Sequence, residues 1–137
     1  MSLGDEIAAA LPKLRAQAES MMRDTILVEH QTGTTPDPAT LEEVPVYETV
    51  HTGKARVQRP GSIKPSERVA GEVEFGLSTI LAQLPLSATG LQRGHRLTVT
   101  AVGPESDPDL LGLVATVQAN LTKSHPTKRT LVCEEVT

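Results

Sequence analysis

Apolar residues recur at Leu3, Ile7, Leu11, Leu14, Ala18 and Met21, in steps of four, four, three, four and three. That spacing makes one stripe on a helix and predicts an amphipathic helix over residues 3–22. Ser2 suits the N-cap, and Asp5 and Glu6 fall in the first turn, where the helix dipole favours anions. Pro12 lacks the N–H that the previous turn needs, so a kink or a restart is expected there. The stripe is narrow, so the helix should pack on one surface, either its own domain or a neighbouring subunit.

From Thr25 the period shortens to two. Residues 25–30 (TILVEH) have β-branched character, and residues 31–45 (QTGTTPDPATLEEVP) read as a long exposed loop rich in Gly, Pro and Thr. Residues 46–50 and 54–58 then predict a hairpin around a turn at His51-Thr52-Gly53. Further extended segments are expected at 69–75, 78–84, 96–102, 112–121 and 130–136. The linkers between them are a long polar loop at 58–70 and turns at 85–94 and 103–109. No helical pattern separates the strands, so parallel crossovers are not expected. The prediction is one mainly β domain over residues 1–137: a small antiparallel barrel or sandwich (25–136) preceded by the helix.

Charge changes this picture more than composition does. The 137 residues carry a net −4. Residues 54–68 hold Lys54, Arg56, Arg59, Lys64 and Arg68 against a single Glu67, net +4, so the remainder carries −8. A solvated loop would also accommodate those charges. Tyr47 and Phe75 are the whole aromatic set, so the core must be aliphatic and stacking platforms for single-stranded nucleic acid are not available. The lone Cys133 excludes an internal disulfide and fits a reducing compartment. The charges among residues 1–22 argue against a signal peptide, and no apolar run reaches the ~18 residues that span a bilayer.

Catalytic material is poor. His30, His51, His95 and His125 are scattered, each beside a turn or strand end, with no metal-ligand spacing. Cys133 sits in an apolar strand, as a structural thiol does. Gly103–Asp107 lacks the acid spacing of a calcium loop, and Asn120-Leu121-Thr122 matches a glycosylation triplet without a secretion signal. The reading is no enzyme, no cofactor and no metal.

Taken in order, short motifs along the chain resemble those of head-completion or stopper proteins, the head–tail connector components of long-tailed phages. Met22-Arg23-Asp24-Thr25 is similar to the M-x-D-T opening that follows the N-terminal helix. Tyr47…Gly53-Lys54-Ala55-Arg56-Val57 resembles Y-x-G-x-(C/A)-R-V, and Leu84-Pro85 the strand end before a turn. Gly94-His95-Arg96-Leu97-Thr98-Val99 follows G-D-x-(L/V)-x-V, except that His95 replaces the acid. Leu110-Leu111-Gly112 through Val117 follows L-x-G-x-x-(F/A)-x-V, and Arg129-Thr130-Leu131-Val132-Cys133-Glu134 the closing R-x-L-x-C-E. Each motif alone is common. Their order covers nearly the whole chain.

The resemblance implies a structural virion protein, made in the host cytoplasm and placed at the head–tail neck. It implies a homo-oligomeric ring of six or twelve copies, below the portal and its adaptor and above the tail terminator or tail tube. The ring would close the channel on packaged double-stranded DNA and offer a tail-docking face, with no membrane involved. Arg56, Arg59, Lys64 and Arg68 are then the candidate DNA-channel residues. Six copies of the basic segment would set roughly +24 around the opening, which attracts DNA without reading sequence. In the alternative, those arginines pair with Glu42, Glu43 or Glu72 of a neighbour, and loop 31–45 is the rival plug. Leu3, Ile7, Leu11 and Leu14 are the candidate subunit or partner contacts. Rival functions are a tail terminator or adaptor ring of the same connector, or, in another class, an OB-like nucleic-acid-binding barrel.

Overall fold

The computed structural model describes residues 2–59, 68–69, 73–74, 78–124 and 126–136. Helix α1 (Leu3–Ser20) is followed by strands β1 (Asp24–Pro36), β2 (Glu43–Gln58), β3 (Arg68–Val69), β4 (Val73–Glu74), β5 (Thr79–Leu84), β6 (Arg96–Ala101), β7 (Val114–Leu121) and β8 (Arg129–Glu135). Six of these strands form a closed antiparallel barrel in the order β1-β2-β5-β8-β7-β6, with β6 returning to β1. The protein is mainly β, as its alternating pattern predicts.

Every barrel strand buries alternate residues. Ile26 and Val28, Ala55 and Val57, Ile80 and Leu84, Leu97 and Val99, Ala115 and Val117, and Leu131 and Cys133 form one aliphatic core. Burial pushes the Cys133 thiol up to about 12, so it serves as a small hydrophobe.

Ser2 caps α1 as the sequence suggests. Its hydroxyl accepts from Asp5 N–H at 3.2 Å, and the Asp5 carboxylate accepts from Ser2 N–H at 3.3 Å. Pro12 lies inside one continuous helix rather than dividing it, and Met21 is the C-cap.

The long loop expected at 31–45 is not a loop. β1 continues to Pro36 and β2 begins at Glu43, so residues 30–36 and 43–48 form a two-stranded arm closed by a turn over 37–42. The expected turn at His51-Thr52-Gly53 is uninterrupted β2. Two irregularities explain both differences. Val28 pairs with His51 but Glu29 with Thr49, which leaves Val50 unopposed; Gln31 pairs with Tyr47 but Gly33 with Val46, which leaves Thr32 unopposed. Each bulge inserts one residue and breaks the two-residue period on which strand recognition depends. Pro45 is tolerated because β5 pairs only with Arg56–Gln58, so β2 is an edge at that point.

The strand expected over 69–75 is instead two short strands, β3 and β4, paired with each other. The rest of loop 58–70, including Lys64, lies outside the described residues, as do Phe75 and His125.

Of the motif glycines, Gly94 and Gly112 have φ of +94° and +84°, a region that side-chain-bearing residues rarely adopt. The M-x-D opening is structural as well. Met22 and Asp24 are buried, and the Asp24 carboxylate accepts from Gly103 N–H at 3.1 Å and from the Ser106 hydroxyl, fixing the β6–β7 connection.

Asp24→Ala leaves those donors unpaired in a buried place and is expected to lower unfolding free energy by roughly 1–3 kcal/mol. Arg23→Ala removes only an exposed pair with Glu105 and should shift it by less than about 1 kcal/mol. Urea titration of both variants checks the contrast, which equal losses would contradict.

Candidate interaction surfaces

Strand direction gives the barrel two unlike rims. β2 runs from the arm toward Arg59, and β1 runs the opposite way. At one rim lie the arm, the loop over 85–95 and the β7–β8 turn over 122–128. At the other lie Asp24, the connection over 102–113, the C-terminal end of β8, and Arg59 and Ser78, which bound residues 60–77.

The candidate channel residues are only partly gathered. The Arg59 Nη1 donates to Glu135 Oε2 at 2.7 Å; this bond raises the arginine above its usual range and holds the glutamate below its own. Lys54 pairs with Glu19 of α1 at 3.1 Å. Two of the five cations therefore have acidic partners in their own chain. Arg56 and Arg59 line a cleft of about 360 Å³ together with Asp24, Ser106, Asp107 and Asp109. The side chains of Lys64 and Arg68 lie outside the description.

The apolar stripe of α1 is mostly uncovered. Leu11 is buried, whereas Leu3 is 71% exposed, Leu14 43% and Ile7 36%. Near its C-terminal half the helix is tied to the barrel through Lys54–Glu19 and through Arg15 Nε, which donates to Pro126 O at 3.1 Å. No helix among the described residues is long and apolar enough to cross a membrane.

The arm was not legible as a surface in the sequence. It carries exposed Leu41, Val44 and Val46. Its root is braced by Arg96, whose Nη2 donates to Glu29 Oε1 at 2.8 Å and whose guanidinium lies 3.6 Å from the Tyr47 ring centre. The available signal was Tyr47 itself: a lone tyrosine followed by Glu48, with an arginine elsewhere to stack on it.

Beside the arm, the rings of His30 and His95 lie 5.3 Å apart. His95, the departure from the resembled motif, is buried, and its Nδ1 accepts from Gln92 N–H at 3.2 Å. Desolvation, and secondarily the His30 charge, push its pKa down. Desolvation also lowers His51, whose Nε2 is buried without a hydrogen-bond partner among the described residues.

The sequence profile of a family of unknown function (DUF6093) matches residues 14–134. A comparison with curated proteins found no significant match. Among solved structures, the solution structure of protein SF1141 from Shigella flexneri 2a, a structural genomics target, is similar. It aligns with a TM-score of 0.57 at 22% identity, over 84% of this chain and 93% of that one, a likeness of fold.

The lowered pKa of His95 gives a pH dependence of fixed sign. Below its ordinary 6.5 the unfolded imidazole takes up a proton that the folded one resists. Stability is therefore full above 6.5 and falls as pH drops through that value. His95→Asn keeps an acceptor for Gln92 N–H without titrating. Its urea midpoint should fall less steeply than wild type between pH 6.5 and 5, and parallel curves would remove His95 as a cause.

Proposed function

The chain therefore belongs to the DUF6093 family, and from its own geometry we propose that it is a structural ring subunit, the stopper of a phage head–tail connector. The observation that carries this reading is the combination of a closed barrel with two projections bearing uncovered apolar residues, the arm and α1. Leu41 on the arm is 80% exposed and Leu3 on the helix 71%. Such surfaces suit burial against other protein, either copies of itself or the rings above and below. The ordered motifs described above supply the kind of assembly.

In this reading the two rims have different tasks. The rim of Arg56 and Arg59, followed in the chain by Lys64 and Arg68, faces packaged DNA and attracts its phosphates without sequence preference. The acidic remainder keeps the outer surfaces off DNA. Leu3, Ile7 and Leu14 dock against a neighbouring subunit or the adaptor. The role is mechanical and electrostatic, with no catalytic step.

The test is deletion of the gene from the phage or prophage that encodes it, with electron microscopy of the lysate. Tails lying apart from heads that have packaged and then lost their DNA are expected. Normal virions would end the structural reading, and sealed full heads beside tails of abnormal length would move the protein to the tail terminator position. Replacing Arg56, Arg59, Lys64 and Arg68 by Gln in the same gene should leave an assembled neck that leaks DNA. Full DNA retention would take the basic segment out of the channel.

A further inference from the structure

The arm holds an imbalance that the rest of its own chain does not correct. Residues 31–48 contain Asp37, Glu42, Glu43 and Glu48 and no lysine or arginine. Glu42, Glu43 and Glu48 are exposed and have no ion pair among the described residues. Pairing with β6 ends at Glu29, and β2 has no β5 partner before Arg56. The arm is thus a two-stranded ribbon with both edges open. Residues 30–36 alone carry it roughly 23 Å past the barrel at ~3.3 Å per residue. A lone ribbon of that kind is marginal in water, and its open edges and exposed Val44 and Val46 call for a cover.

The complementary surface lies on the same rim. In the order β1-β2-β5-β8-β7-β6, β8 stands across the barrel from β1, and β7 across from β2. The β7–β8 turn is therefore opposite the arm at the same height. It carries Lys123, Lys128 and, at the start of β8, Arg129. Lys123 and Lys128 have no acidic partner among the described residues.

We infer that the occupant of the arm is a second copy of this chain: the acidic arm of one subunit seats on the basic β7–β8 turn of the next. Unlike surfaces on opposite sides of one rim make a head-to-tail contact, which closes into a ring when the rotation between copies permits. Opposite charges set the register and speed encounter, while Leu41, Val44 and Val46 lose their exposure. This inference deepens the ring reading and rests on it, but it names the contact.

The test uses the full chain. Glu42→Cys and Lys123→Cys are made separately, mixed at low ionic strength and treated with a short bismaleimide; the native Cys133 is buried and serves as an unreactive control. The mixture is expected to yield a cross-linked heterodimer well above the homodimers of either variant alone. Charge reversal gives the second arm. Glu42→Lys with Glu43→Lys, and separately Lys123→Glu with Lys128→Glu, should each weaken self-association by at least ~10-fold, by sedimentation. Mixing the two reversed chains should restore it, since each arm then meets a turn of opposite sign. Equal homodimer and heterodimer yields, absence of any cross-link, or failure of the mixture to recover would overturn the contact. The contact can fail while the gene deletion still gives unsealed heads, which separates it from the stopper reading.

Discussion

Strand β1 holds the molecule together because it is hydrogen-bonded on both sides. Its pairing with β2 along one edge and with β6 along the other turns an open antiparallel sheet into a closed ring. Closure removes edges from the barrel and sets a narrow interior. That interior is filled by Ile, Leu, Val, Ala and one buried thiol, with Ile26, Ile80, Leu97 and Leu131 wholly enclosed. The scarcity of aromatic residues follows naturally from such a bore.

The same strand creates the functional asymmetry. β1 and β2 outgrow their other partners, and beyond Glu29 they have only each other. The excess becomes an arm at one rim, while Arg56 and Arg59 lie toward the other. Arg96 supports the arm's root by combining an ion pair to Glu29 with stacking on Tyr47. At the far rim, Asp24 ties the β6–β7 connection to the start of β1, next to the cleft that Arg56 and Arg59 line. The two ends of the barrel are therefore unlike: one bears the acidic arm, and the other the cleft where Arg56 and Arg59 lie among Asp24, Asp107 and Asp109.

The motifs that carry the connector resemblance are mostly instructions for the barrel. Gly94 and Gly112 occupy backbone regions suited to glycine, Met22 and Asp24 point inward, and Leu97 with Val99 and Leu131 with Cys133 are alternate core positions. His95 fits the same turn by accepting a backbone N–H through its imidazole. The segments proposed to meet partners lie elsewhere. The arm tip and the segment between Arg59 and Ser78 fall between the motifs, and Leu3 and Ile7 precede residue 14, where the family match begins.

By itself, the sequence determined the helix and its cap, the mainly β class, the antiparallel connectivity and the aliphatic character of the core. These depend on local periodicity, which a chain carries in its own order of residues. Ser2 with Asp5, and Leu97 with Val99, needed nothing distant to be read. Only tertiary structure decided that residues 31–45 form an arm. Two bulges, at Val50 and Thr32, break the alternation, and Gly33, Pro36 and Pro45 imitate a loop, although cross-strand pairing holds them extended. The fates of the cations were equally hidden: Arg59 meets Glu135 and Arg96 meets Glu29 across 76 and 67 residues of chain. Contacts of that range exist only once the strands have paired, because pairing brings strand ends that are distant in the chain within reach of each other.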